Sequence, residues 1–269
     1  MRKIILKILV LVFLLSSCVE ETEIILQGDL DERLVVDVKL TNDTTYQIAI
    51  LSKTIQYYTE EQTPRAVGAT VKIISGSGEV FLFEEIEPGI YQTTEKVYGE
   101  IGESYLLQID YDGKKHEASS EIRRSPVVDS IAFRWEPFME SFRVLYFGME
   151  PAGKGDNYLY HIYKNGVLMT DSLKNITFTN DDFIDGIYIF GFEVDAWFNK
   201  FNLQQGDTVT LEVHSIPKDA YAYILEIFFE TGGAGPMGGS GKTPRGNISN
   251  DAFGLFYGAS IVRTTRVIE

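Results

Sequence analysis

Apolar residues recur at every second position along most of this chain, and that period admits few folds. Val36, Val38 and Leu40 alternate with Asp37 and Lys39, and Val71 and Ile73 flank Lys72. Tyr46, Ile48 and Ile50 form one further set, and Tyr105, Leu107, Ile109 and Tyr111 a longer one. Successive side chains of a strand point to opposite faces, so alternation marks a strand with one face buried. The residues concerned are largely β-branched or aromatic, types that suit a pleated, half-buried surface.

The punctuation between these runs agrees. Asp112-Gly113 separates Leu106–Tyr111 from Lys114–Ile122, and Asn165-Gly166 separates Tyr158–Lys164 from Val167–Asp171. Both dipeptides tolerate positive φ at two successive positions, as a tight hairpin requires. Ser75-Gly76-Ser77-Gly78 and Pro88-Gly89 mark two more turns. Further strands are expected at Ile131–Trp135, Phe142–Met149, Gly186–Val194, Val209–Val213 and Ile261–Ile268. Strand follows strand without alternating helices, which disfavours a parallel α/β sheet and favours antiparallel sandwiches. One helix is expected at about 217–230: Ser215 is placed to cap it, Pro217 to fill its first turn, and Asp219 to meet its positive end. Tyr221, Ile224, Leu225 and Phe228 then recur at helical spacing, and Gly232-Gly233 ends it. The fold class is therefore mostly β, with two antiparallel β-sandwich-like domains in tandem and one short helix in the second.

The first eighteen residues read differently. Arg2 and Lys3 precede an apolar run, Ile4–Leu15, broken only by Lys7. The run is shorter than the ~20 residues a bilayer-spanning helix needs and fits the apolar core of an export signal. It ends in Leu15, Ser16, Ser17 and Cys18, similar to a bacterial lipobox, in which the cysteine is diacylated and becomes the new N-terminus. Cys18 is the only cysteine among 269 residues. That excludes an internal disulfide framework and any cysteine-rich metal site. An ordinary secretory signal with an incidental cysteine is the alternative. Glu20 and Glu21 follow, in a run that resembles the acidic export signal of surface lipoproteins; a solvated acidic tether is the plainer reading. The expected divisions are a cleaved signal at 1–17, an acidic lipidated tether at 18–28, a sandwich at 29–125 and a β-rich domain at 126–269.

Net charge is −15. Removing Arg2, Lys3 and Lys7 with the signal leaves 21 basic against 39 acidic residues, a net −18. Such a chain lacks the basic face that nucleic acid demands and is not drawn to anionic lipid by charge. Acyl chains would be its attachment to a membrane.

Chemical motifs are weak. Gly238-Gly239-Ser240-Gly241-Lys242-Thr243 looks like half of a P-loop, but Pro236 stands where the first glycine belongs, and a helix precedes the segment instead of a strand. Gly232–Gly241 holds six glycines and is expected to be a mobile loop. Asn180-Asp181-Asp182-Phe183-Ile184-Asp185-Gly186 gathers carboxylates without calcium-loop spacing, so a solvated loop is expected. His214 shares a face with Thr208, Thr210 and Glu212 and is expected at the surface. His161 sits among Tyr158, Tyr160 and Tyr163, a density that suits sugar or peptide binding and equally an ordinary half-buried strand. No nucleophile-elbow or zincin motif occurs, so no catalytic, metal-binding or cofactor-binding residue is assigned and no enzyme is expected.

Several segments together carry a family resemblance. Gly68-Ala69-Thr70-Val71, Phe83, Glu87-Pro88-Gly89-Ile90-Tyr91, Gly102-Glu103-Ser104-Tyr105-Leu106-Leu107 and Asp112-Gly113-Lys114 resemble a transthyretin-like or carboxypeptidase-regulatory sandwich. With Val128-Asp129-Ser130-Ile131, Pro244, Gly246-Asn247-Ile248 and Gly254-Leu255-Phe256-Tyr257-Gly258-Ala259-Ser260, and with the lipobox, the chain resembles the Bacteroidota lipoprotein family called domain of unknown function 4249. Tyr257, between Phe256 and Gly258, departs from the terminal pattern. The resemblance implies an outer-membrane lipoprotein facing the cell exterior, an accessory or ligand-binding partner of a TonB-dependent β-barrel receptor. It brings no catalytic residues. Two other functions fit the composition: a structural or adhesion scaffold for neighbouring surface proteins, and a hydrolase built on a carboxylate pair.

Overall fold

Fifteen strands and one helix make up the described residues of the computed structural model, which are 32–55, 63–195, 201–231, 243–244 and 246–269. The strands are β1 Leu34–Thr41, β2 Ile48–Lys53, β3 Thr70–Ser75, β4 Val80–Glu87, β5 Ile90–Thr93, β6 Ser104–Tyr111, β7 Lys114–Glu121 and β8 Val127–Glu136. They continue with β9 Ser141–Met149, β10 Asn157–Lys164, β11 Val167–Leu168, β12 Thr177–Asn180, β13 Tyr188–Glu193, β14 Thr208–Ile216 and β15 Phe253–Val267. Helix α1, Lys218–Glu230, lies between β14 and β15.

The hairpins form where the turn chemistry places them. Tyr111 pairs with Lys114 across Asp112 and Gly113, whose φ angles are +48° and +71°. Lys164 pairs with Val167 across Asn165 and Gly166, at +50° and +82°. Side chains face as the alternation predicts in β1, β3 and β6, where Val36, Val38, Leu40, Val71, Ile73, Tyr105, Leu107 and Ile109 are buried. In β2 the buried face is the other one. Ala49 and Leu51 point inward while Tyr46 and Ile48 are exposed, because β2 joins β1 in the register Val36↔Leu51 and Val38↔Ala49. Ser215 does not cap α1. It lies within β14, paired to Tyr158 and Ser260, and Pro217 occupies the cap position with no side-chain hydrogen bond.

A long sheet runs β11-β10-β14-β15-β1-β2-β5-β4-β3-β6-β7, with β12 also on β10. It doubles over on itself through β4, whose first residues pair with β3 and whose last pair with β5. The enclosed core holds Val38, Leu51, Ile73, Tyr91, Leu107 and Ile109. At the other end, a three-stranded sheet, β13-β9-β8, packs on β10 and β14 through Ile131, Val144, Tyr146, Tyr160, Ile162 and Leu211. Helix α1 covers the opposite face of β10, β14 and β15, over Leu159, Ile216, Leu255 and Ala259.

The terminal strand is twice as long as the alternation at its end suggests, and it ties the two cores together. Its first half pairs parallel with β1, Val35↔Phe253 to Thr41↔Ala259. Its second half pairs antiparallel with β14, Ser215↔Ser260 to Thr208↔Val267. The division at 125/126 falls between β7 and β8, yet β15 reaches back across it, and Glu32–Glu269 is one compact unit.

The approach of β15 to β1 depends on glycine. Gly254 has φ +101°, and a Cβ there would lie 1.9 Å from the Val36 carbonyl oxygen. A Cβ on Gly246 would lie 1.7 Å from the Gly254 oxygen. Between them, Asn247 serves the free edge of β15: its Nδ2 donates to the Phe256 carbonyl at 2.7 Å and its Oδ1 accepts from the Phe256 N–H at 2.9 Å. Ile248 drops into the core beside Phe256. The Gly-Asn-Ile segment and the later glycine are thus one device for seating the last strand. Gly254→Ala is expected to lower the unfolding free energy by roughly 3 kcal/mol or more, from positive φ and backbone overlap together. Urea denaturation checks this, and a loss under about 1 kcal/mol would show that the crossing has slack.

Candidate functional site

Cys18, Leu15, Ser16, Ser17, Glu20 and Glu21 lie outside the described residues, as do the signal and tether and the glycine-rich Gly232–Lys242. Within Glu32–Glu269 stand two buried polar networks and a half-open chamber.

The acidic run at 180–186 is not a free solvated loop. Asp181 is 2% exposed, and its carboxylate lies within 4.8 Å of those of Glu150 and Asp156, both fully buried. The three come from the end of β9, the start of β10 and the end of β12. Asp181 Oδ2 accepts from the Gly155 and Asp156 N–H groups at 2.7 and 3.0 Å. Glu150 accepts from the Gly186 N–H at 2.6 Å and the Tyr158 hydroxyl at 2.9 Å. Arg124 donates to Asp156 Oδ2 at 2.8 Å and to the carbonyls of Pro151, Ala152 and Gly153. Asp185 accepts from the Gly153 N–H at 2.5 Å. Burial, with the nearby Asp156 and Asp181 charges, pushes the Glu150 carboxyl above the usual range against the pull of the Gly186 and Tyr158 donors.

Three carboxylates this close could offer oxygens to a hard cation, which wants six to eight. Here amides, a hydroxyl and a guanidinium already bond each of the three carboxylates, and Asp156 Oδ1, without a hydrogen bond, has the Arg123 guanidinium 3.6 Å away. The arrangement is a latch. It fixes residues 181–186 against the β9–β10 turn.

What the latch holds in place is one wall of a half-open chamber of about 280 Å³. Phe183 and Ile184 of the latched segment face Tyr160 of β10, Thr179 and Asn180 of β12, Ile189 and Phe192 of β13, and Tyr221 of α1. The Tyr160 hydroxyl and Thr179 Oγ1 are 3.2 Å apart, and the Tyr160 and Phe192 rings are 5.5 Å apart. Asn180 Nδ2 donates outward to Asp182 at 2.8 Å. Burial pushes the Tyr160 hydroxyl up to about 12, so it stays neutral. Among the described residues that line the space there is no carboxylate or histidine. Sites of this kind, largely apolar with a few polar atoms, are typical of small-molecule binding.

The second network overturns the expected surface position of His214, which is 3% exposed. Its ring lies 4.4 Å from that of His161 on the neighbouring strand. His214 Nε2 is 3.0 Å from Glu212, Glu212 accepts from Arg263 Nε at 2.6 Å, and Arg263 also holds Asp43. His161 Nδ1 meets Thr170 Oγ1 at 3.2 Å. The outward alternation of β14 is lost at this end because β10 and β15 flank it and the face continues into Ile216, beneath α1. Among the tyrosines around His161, Tyr158 and Tyr160 are core residues.

Sequence reasoning missed Glu150, Asp156 and Arg124, which lie in no recognised motif. Their trace is the pair Arg123-Arg124 at the expected boundary and two acids bracketing Gly153-Lys154-Gly155.

Two outcomes are expected. Arg124→Ala leaves buried Asp156 with only the Arg123 guanidinium, 3.6 Å from its Oδ1, and lowers stability by about 2 kcal/mol, read by chemical denaturation. His161 is held down to about 3 by burial first and by the charge of His214 second. Its folded pKa lies below the unfolded 6.5, so the unfolded chain takes up the proton first. That stability is complete above about pH 6.5 and is lost as pH falls towards 3. His161→Asn should flatten the pH dependence of stability in this window by up to about 1.4 kcal/mol per pH unit. An unchanged slope would refute the assignment.

The chain is similar to the BSP domain of a biofilm-associated protein, at 10% identity and TM-score 0.24, covering 88% of this chain and 29% of that one. It is similar to a two-domain fibronectin type III segment of chicken tenascin, at 13% identity and TM-score 0.21, covering 69% and 91%. A DUF4785 family protein from Legionella pneumophila aligns at 11% identity and TM-score 0.23, covering 68% of this chain and 52% of its own. The chain thus spans under a third of the biofilm-associated chain. No curated protein matches it. Residues 20–265 match the family model Domain of unknown function (DUF4249), and the chain belongs to that family.

Proposed function

We propose that this member of the DUF4249 family is a surface lipoprotein of the outer membrane, attached through a diacylglyceryl Cys18 and exported on the signal of Glu20 and Glu21. In this reading it is a non-enzymatic ligand-binding or accessory subunit of a TonB-dependent transporter. The observation that carries it is the latched chamber. A rigid β scaffold holds a preformed aromatic space of about 280 Å³ whose described lining residues include no carboxylate or histidine for acid–base chemistry. The three buried carboxylates nearby are occupied by Arg124 and backbone donors, which suits a structural role better than that of a hydrolytic pair. Among the described residues, no helix is long and apolar enough to cross a membrane, so in this proposal the acyl chains do the anchoring, with more than one needed for stable attachment.

A scaffold or adhesion role is the second reading, favoured by the exposed aromatic face of β13. Phe190 is 85% exposed there, with its ring 5.9 Å from Phe147 and 5.2 Å from Tyr188.

Cys18→Ala should abolish fatty-acid labelling and move the chain from the membrane to the soluble fraction. Mild-detergent capture of the acylated chain should bring down an outer-membrane β-barrel. Capture of other surface proteins without any barrel would favour the scaffold reading and end the transporter one.

A further inference from the structure

We infer that the chamber takes an uncharged, planar aromatic compound of two or three rings bearing a hydrogen-bond acceptor. This deepens the ligand-binding reading above and rests on it for its place in the cell. Four features of the chamber set the ligand class.

The first is size. A space of about 280 Å³ falls just below the ≈300–1,000 Å³ range of small-molecule sites and is too small for an oligosaccharide or a peptide segment. The second is the wall. Tyr160, Phe183, Phe192 and Tyr221 supply rings, and rings are best met by rings in offset or edge-on contact. A sugar, rich in hydroxyls, would leave most of its polar groups unpaired here at a cost of ~1–3 kcal/mol each.

The third is the polar pair. Tyr160 and Thr179 share one hydrogen bond at 3.2 Å, and either can be its donor. Each hydroxyl has one proton. Whichever donates, the other keeps its proton free. The pair therefore offers one donor, which selects a ligand with a carbonyl, ether or ring-nitrogen acceptor. The fourth is charge. None of the described lining residues is ionised, and Asp182, exposed at the segment's turn, binds Asn180 Nδ2 and raises the Tyr221 hydroxyl after burial has done so. An anion would meet Asp182 and an acidic chain of net charge −15. A cation would leave water for a space with no paired carboxylate inside.

The experiment uses two fluorescent probes that share a ring skeleton and differ in one charge. They are 7-methoxycoumarin, which is neutral and carries carbonyl and ether acceptors, and 7-methoxycoumarin-3-carboxylate, which is anionic. The protein is the full mature chain with Cys18→Ser, which carries no acyl group and needs no detergent. The neutral probe should saturate at one per chain and bind at least tenfold tighter than the anion. Phe183 is 95% exposed, so Phe183→Ala leaves the core untouched and should weaken the neutral probe several-fold. Asp182→Asn should narrow the gap between the probes. Thr179→Phe, with its fold checked by circular dichroism, should block binding.

Absence of saturable binding, equal affinity for both probes, or indifference to Phe183→Ala and Thr179→Phe together would overturn the inference. Capture of a β-barrel without probe binding would overturn it and leave the surface-lipoprotein reading standing. Saturable, charge-selective probe binding without a barrel would support it and sink the transporter reading.

Discussion

The parallel seating of β15 against β1 is the contact on which the rest of the molecule depends. Parallel neighbours cannot be joined by a tight turn and need a long crossover. Here everything from β2 to α1 is the crossover. The pair closes only because Gly254 adopts φ +101° with its Cα against the Val36 carbonyl. Once seated, β15 gives Phe256 to one core and its second half to the sheet that floors the other. Without it, β1 and β14 are two sheet edges with no common neighbour.

The chamber is a local consequence of the same economy of backbone partners. β12 is four residues long and pairs only with the first residues of β10. After Asn180 the chain must leave the sheet, and an unpaired backbone in a buried place needs substitutes for strand hydrogen bonds. Asp181, Asp185 and Glu150 provide them by accepting from Gly155, Asp156, Gly153 and Gly186. Three negative groups so close would repel, and Arg124 offsets this where it meets Asp156. The raised pKa of Glu150 is the remaining sign of that crowding. Side chains on the solvent side of the loop are then free to be apolar, which is why Phe183 and Ile184 interrupt what would otherwise look like a calcium loop.

Most of the architecture was legible because its signals are local. Asp112-Gly113 and Asn165-Gly166 need positive φ at adjacent positions and obtain it; the helix at 217–230 is α1 within one residue of its start. Errors came where a neighbour distant in sequence decides. The alternation in Tyr46, Ile48 and Ile50 is real, but only the register against β1 says which half of it faces in. His214 looks like a surface residue on a two-period strand until β10 places His161 beside it. The candidate site was legible only in fragments. Tyr160 and the 180–186 run drew notice singly, whereas Phe192, Thr179 and Tyr221 meet them only after three strands and a helix are in place. Glu150 and Asp156 are six positions apart in a turn, and no periodicity marks them.

The late position of β15 has a kinetic side. A chain made or delivered from its N-terminus presents β1 early, with Leu34, Val36, Val38 and Leu40 on one face and one row of N–H and C=O groups unpaired. That row finds its partner only when residue 253 and beyond arrive, more than two hundred residues later. In the interval β1 is an open edge of the kind on which foreign strands add. The closing event joins distant points of the chain and is slow for that reason. Whatever shortens the wait for residue 253 and beyond shortens the time for which that edge stays open.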